Sequence, residues 1–72
     1  MEFVKERTAQ NLKAIRNLRG KSQQQLADES GVSVDAIKIY ERALSVMSLE
    51  AATKLANALS CSVDSLVVEI RV

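Results

Sequence analysis

Apolar side chains recur every three or four positions along most of the chain, with polar residues between them. The first such stripe comprises Val4, Thr8, Leu12, Ile15 and Leu18. This spacing predicts a helix from about residue 4 to residue 19, because such positions fall on one helical face. The glycine that follows at position 20 suits the left-handed conformation of a helix C-cap.

Serines mark the starts of the remaining predicted helices. A serine hydroxyl caps free N–H groups at a helix N-terminus, and Ser22 with Gln25 three positions later forms a capping box. Since proline is absent and only two glycines occur, we expect an all-α fold with short connections. The predicted helices are 23–30 after Ser22, 34–42 after Ser33, 49–59 after Ser48, and a fifth after Ser62 that ends near 68. Leu49, Ala52, Leu55, Ala56 and Leu59 are the predicted inner face of the fourth helix.

The last residues follow a different period. Val68, Ile70 and Val72 alternate with charged residues, which is typical of a short β-strand. Such a strand would pair either with the N-terminal residues or with the same strand of a second copy. The alternative is a fraying continuation of the fifth helix.

Composition narrows the possible functions. The 72 residues form one predicted domain, 1–72, and include no histidine and one cysteine. Metal clusters and Ser-His or Cys-His catalytic pairs therefore cannot form within the chain, so we expect no enzyme activity, metal or cofactor. Without an apolar run long enough to span a membrane, the chain is expected to be soluble and cytoplasmic. Cys61 is predicted to be a core thiol rather than a redox switch.

Charge is distributed unevenly, although the net charge is only +1. Residues 1–21 hold six basic and two acidic residues, whereas residues 22–50 hold two basic and five acidic ones. The positive first third would favour binding to phosphate, and the negative middle would oppose it.

The stretch between the second and third helices predicts a close helix–helix contact. Ala27 is small enough to let the third helix approach, Gly31 supplies the positive φ of a tight turn, and Ile37 fills the wedge. This pattern indicates a helix-turn-helix, although helical hairpins without a role in DNA binding share it.

Further motifs resemble the five-helix DNA-binding domain of the phage repressor and Cro family, also called the XRE family. The resemblance covers about residues 12–67. Its motifs are Ser-Gln-x-x-Leu-Ala at 22–27, Gly-Val-Ser at 31–33, Ile37 with Tyr-Glu-Arg at 40–42, and the helix 4 and 5 pattern from Leu49 to Leu66.

The resemblance implies a transcriptional regulator that binds double-stranded DNA as a homodimer on a palindrome. The recognition helix, 34–42, would enter the major groove and read bases with its first residues. These residues are Ser33, Val34, Asp35, Ala36, Lys38 and Ile39. Gln23 would bind a phosphate through its backbone N–H and could reach a base with its amide. Arg16 and Glu41 would form a structural ion pair.

Several positions depart from the family pattern. Ala43 replaces the usual glycine and Met47 the usual proline, and the loop 43–47 is apolar where relatives are polar or basic. Lys21 stands where an apolar residue closes the core, and Leu18 is expected to substitute for it.

The apolar loop leaves an alternative function open. Either one or two of its side chains pack under the fourth helix, or Leu44, Val46 and Met47 form an exposed patch that binds protein. In the second case the domain would be a protein-interaction module on the same fold.

Overall fold

The computed structural model describes residues 2–3, 5–66 and 69–70, and it confirms the predicted all-α fold class. Five helices follow one another with short connections, and each agrees with its prediction to within two residues where the chain is described. Val4, Val67 and Val68 lie outside the described residues. The helices are α1 Lys5–Leu18, α2 Gln23–Ser30, α3 Val34–Glu41, α4 Leu49–Ala58 and α5 Val63–Leu66.

The serine caps form as the sequence predicts. The Ser22 hydroxyl accepts from the Gln25 N–H at 3.0 Å, and the Gln25 side chain accepts from the Ser22 N–H at 2.8 Å, which completes the capping box. Ser33 and Ser48 each accept at 3.1 Å from the N–H three positions later. These bonds satisfy N–H groups that have no partner within the helix.

Among the described residues, the turns use the left-handed region of φ at Gly20, Gly31, Ala43 and Ser60. Gly31 has φ 79° and donates its N–H to Ala27 O at 3.0 Å, which ends α2 as predicted. Ala43 and Ser60 adopt φ 58° and 55° in the same region. Ala43 therefore makes the turn of the glycine it replaces, although this conformation costs a residue with a Cβ about 1–2 kcal/mol.

The core draws at least one fully buried side chain from each helix. Leu12, Leu26, Ile37, Leu55, Leu59 and Leu66 form one cluster with no exposed surface. Met47 joins this cluster from the loop before α4, with 2 % of its surface exposed. Cys61 is half-buried against the same cluster. The helices thus surround a single apolar centre, as burial of their inner faces requires.

Two leucines expected in the core lie at the surface. Leu18 is 76 % exposed and Leu49 is 65 % exposed, so both core predictions are wrong. Leu18 is the last residue of α1 and Leu49 is the first residue of α4, and the neighbouring helices leave both side chains uncovered. Lys21 is half-buried, and its Nζ donates to Ala58 O at 2.8 Å and to Glu29.

The two ends of the chain pair with each other. Strand β1, Glu2–Phe3, lies antiparallel to strand β2, Glu69–Ile70, with Glu2 opposite Ile70 and Phe3 opposite Glu69. Of the alternatives for the tail, pairing with the N-terminal residues is therefore the one found; Val72 lies outside the described residues. Within the described ranges, no helix has both the length and the apolar character needed to cross a membrane.

Candidate nucleic-acid interface

Helices α2 and α3 pack closely through the residues that predicted their contact. Ala27 is 8 % exposed, Ile37 is fully buried, and Val32 packs against the core from the turn between them. The small alanine and the left-handed glycine allow the two backbones to approach, and the arrangement is a helix-turn-helix.

One face of α3 is exposed along its full length. Asp35, Lys38, Ile39 and Arg42 are exposed and lie at positions i, i+3, i+4 and i+7, which form a single stripe on a helix. We call these four residues the reading stripe. Arg42, the C-cap of α3, was absent from the predicted DNA-binding set, although its spacing from Asp35 could have identified it.

The other predicted reading residues have different environments. Val34 and Ala36 are half-buried, and Val34 packs against the core. Ser33 is exposed, but its hydroxyl caps α3 by accepting from the Ala36 N–H. Of the six predicted positions, 33, 35, 38 and 39 are therefore exposed, and the Ser33 hydroxyl is already occupied as a helix cap.

The reading stripe contains both signs of charge. Lys38 and Arg42 each carry a positive charge with no ion-pair partner among residues 5–66, and Asp35 carries a negative one that is likewise unpaired there. The cations can donate to phosphate or guanine, the carboxylate can accept from cytosine N4, and Ile39 can contact a thymine methyl group.

The predicted ion pair is present beneath the helix-turn-helix. Arg16 Nε donates to Glu41 Oε2 at 2.7 Å and Nη2 donates to Oε1 at 2.9 Å, and the two side chains are 11 % and 4 % exposed. The third donor, Nη1, binds Lys21 O at 2.9 Å. The hydrogen bond to Glu41 raises the pKa of Arg16 above its usual value, so the guanidinium stays charged.

Gln23 lies at the first turn of α2 and is half-buried. Its Nε2 donates to Glu41 Oε1 at 3.1 Å, so its side chain joins α2 to the end of α3. The N–H groups of Gln23 and Gln24 precede the first hydrogen bond within the helix, and such groups favour anions.

Part of the uneven charge seen in the sequence is neutralised within the fold. Among the basic residues of the first third, Arg16, Arg19 and Lys21 bind groups of the protein itself; Arg19 Nε donates to Leu59 O at 2.8 Å. Among the acidic residues of the middle, three form ion pairs, namely Glu29 with Lys21, Glu41 with Arg16, and Glu50 with Lys54. Two ion pairs, Arg16–Glu41 and Lys21–Glu29, thus join the basic first third to the acidic middle and reduce the charge contrast between them.

The apolar loop is divided between core and surface. Met47 is buried in the core against α4, as the first alternative for this loop expected, so its assignment to an exposed protein-binding patch is wrong. Leu44 and Val46 remain 65 % and 48 % exposed. Met47 stands next to Ser48, the N-cap of α4, and its flexible side chain adapts to the space available in the core.

Comparison with known proteins identifies the family. A family model described as a helix-turn-helix, HTH_3, matches residues 12–66. The chain belongs to this helix-turn-helix family. The match covers α2, α3 and the turn between them, together with the core-forming parts of α1, α4 and α5.

Two relatives of this helix-turn-helix protein are regulators. The cryptic phage CTXphi transcriptional repressor RstR of Vibrio cholerae is 41 % identical over 63 residues, which are 88 % of this chain and 53 % of the repressor. The chain therefore spans about half the length of this relative. The crystal structure of the restriction-modification controller protein C.AhdI from Aeromonas hydrophila superposes with a TM-score of 0.82 at 32 % identity, covering 86 % of this chain and 94 % of that one. The prediction that the protein is not an enzyme agrees with these relatives, a repressor and a controller.

Proposed function

We propose that this helix-turn-helix protein is a sequence-specific regulator of transcription that binds double-stranded DNA as a homodimer on a palindromic operator. The observation that carries the proposal is the reading stripe, which is exposed along the second helix of the helix-turn-helix. In this motif the second helix enters the major groove, where each base pair presents its own pattern of donors and acceptors. The names of the two relatives, a repressor and a controller, support the same role.

The reading stripe would recognise bases and phosphate with different members. Lys38 would donate to guanine O6 and N7, Asp35 would accept from cytosine N4, and Ile39 would contact a thymine methyl group. Arg42, at the C-terminal end of α3, would donate to the phosphate backbone. The N–H groups of Gln23 and Gln24 at the start of α2 would bind a second phosphate and set the position of α3 in the groove. Ser33, Val34 and Ala36 would support α3 rather than read bases.

A homodimer follows from the small number of base contacts that one copy can make. Three side chains at base edges give too little discrimination for one site among many competing ones. Two copies related by a twofold axis would double the contacts, with recognition helices about 34 Å apart on half-sites one helical turn apart. Because its ligand is DNA, we place the protein in the cytoplasm.

The proposal is tested by selecting the purified protein against random duplex DNA at near-physiological salt. We expect an enriched palindrome, and we expect Lys38→Ala to lose the enrichment. Lys13→Ala is the matched control, because Lys13 is exposed on α1 outside the helix-turn-helix and has no ion-pair partner among the described residues. Folded protein that enriches no sequence would refute sequence-specific binding.

A protein-interaction module is the second candidate, and two exposed side chains favour it. Leu44 and Val46 lie exposed in the loop after α3, and an apolar surface there would suit a protein better than phosphate. Salt separates the two functions, because each phosphate contact lowers the logarithm of DNA affinity by about 0.9 per decade of salt, whereas apolar contacts resist salt. Binding that resists salt and is weakened by Leu44→Ser would favour the interaction module.

A further inference from the structure

The Glu41 carboxylate contacts more than its ion-pair partner. Its Oε2 accepts from Arg16 Nε, and its Oε1 accepts both from Arg16 Nη2 at 2.9 Å and from Gln23 Nε2 at 3.1 Å. Glu41 is at the end of α3, Arg16 is on α1, and Gln23 begins α2. One buried carboxylate thus joins three helices, and one of its partners lies on the surface proposed to face DNA.

This contact determines which way the Gln23 amide points. A carboxylate only accepts hydrogen bonds, so the amide nitrogen of Gln23 must be the atom that faces Glu41. The carbonyl oxygen is then directed away from Glu41. Two bonds from Arg16 hold the carboxylate in place, and its side chain is 4 % exposed, so Gln23 is held against a rigid partner rather than a mobile one.

We infer that Glu41 is a positioning residue that orients the Gln23 side chain for contact with DNA, in addition to its structural role with Arg16. The inference rests on the proposed function and deepens it. In this orientation Gln23 presents its carbonyl oxygen and its remaining N–H to the duplex. The oxygen accepts from an exocyclic base amine, which adenine N6 and cytosine N4 both supply in the major groove.

An oriented side chain binds more tightly than a mobile one, because less conformational freedom is lost on binding. Removing the Gln23 amide should therefore weaken operator binding strongly when Glu41 holds that amide in place. The same change should weaken binding little when Glu41 no longer holds it. This coupling distinguishes positioning from a purely structural role, since a structural defect would lower affinity equally whether or not the amide is present.

The first test is nuclear magnetic resonance of the free protein, which needs no DNA. We expect the side-chain amide of Gln23 to be as rigid as the backbone around it. Gln10 is the control, because it is exposed on α1 and has no side-chain partner among the described residues. In Glu41→Asp, which keeps the charge but shortens the side chain, the Gln23 amide should become as mobile as that of Gln10. A Gln23 amide that is already as mobile as Gln10 in the unaltered protein would overturn the inference.

The second test is a double-mutant cycle on the selected operator, with folding of each variant verified by circular dichroism. Gln23→Met keeps the length of the side chain and removes its amide. In the protein that retains Glu41, we expect this change to weaken operator binding on the order of tenfold. In the Glu41→Asp background the same change should cost at most about twofold. An equal loss in both backgrounds would show that Glu41 does not position Gln23.

The base that Gln23 contacts is read from the same selection. Relaxed preference at an adenine, or instead at a cytosine, in Gln23→Met would assign the amine donor, and unchanged preference at every position would overturn the contact with a base. If the unaltered protein selects no sequence while its Gln23 amide is rigid, the proposed function fails rather than the orientation by Glu41.

Discussion

Removal of Arg16 should be among the most damaging single changes to the fold. In Arg16→Ala, Glu41 loses two hydrogen bonds of 2.7 and 2.9 Å and keeps only the bond from Gln23. The carboxylate is 4 % exposed, so water cannot replace the lost donors without rearrangement. Lys21 O also loses its 2.9 Å bond from Nη1. A buried charge left without its partner is strongly unfavourable.

The expected loss is large relative to the total stability of the domain. Breaking a buried ion pair by removing one partner costs about 3–5 kcal/mol. At about 0.05–0.15 kcal/mol per residue, a chain of this length has a total of about 4–11 kcal/mol. Arg16→Ala should therefore unfold at much lower urea concentration than the unaltered protein, and a substantial fraction should be unfolded at 37 °C.

The assay is urea unfolding followed by circular dichroism, with the slope compared between variants to verify two-state behaviour. The control is the double variant Arg16→Met with Glu41→Leu, in which no charge is left unpaired and most of the stability should return. The pKa of Arg16 is raised, so its charge persists through neutral and moderately alkaline pH, and this contribution should not fall over that range. A free energy of unfolding within about 1 kcal/mol of the unaltered value in Arg16→Ala would refute the reasoning.

Three further predictions follow from individual residues. Ala43→Gly should stabilise the protein by about 0.5–1 kcal/mol in urea unfolding. Glycine removes the strain at φ 58°, and this gain should exceed the loss from the greater entropy of glycine in the unfolded chain. A loss of stability would contradict this. Met47→Ala should cost about 2–5 kcal/mol, whereas Leu44→Ala, at a side chain 65 % exposed, should change stability by less than about 0.5 kcal/mol; equal effects would contradict the core assignment of Met47. Burial raises the pKa of the Cys61 thiol, opposed by the charge of Arg19, so iodoacetamide should modify Cys61 more slowly in the folded protein than in urea at the same pH. Identical alkylation rates in the folded and unfolded states would contradict the raised pKa. Because folding favours the thiol form, the stability that Cys61 contributes should be present below its unfolded pKa and lost as pH rises through its folded pKa.

The sequence by itself determined the helices and their caps. Helical spacing, the serines before each helix and the left-handed glycines act within a few residues, so they can be interpreted before any tertiary contact is known. The contact between α2 and α3 was also predictable, because Ala27, Gly31 and Ile37 lie within one short stretch. The Arg16–Glu41 pair was expected only through the family resemblance, since nothing in the spacing of two residues 25 positions apart indicates contact.

Only the tertiary structure decided which of these side chains face water and which charges cancel. Leu18 and Leu49 fit an apolar stripe yet are exposed, while Met47 enters the core from a loop that looked like a surface patch. The hydrogen bond from Gln23 to Glu41 and the exposure of Arg42 at the end of the reading stripe were likewise not predicted. Local periodicity sets the direction of a side chain relative to its own helix, but burial and pairing depend on where the other helices lie, and that follows from packing of the whole core.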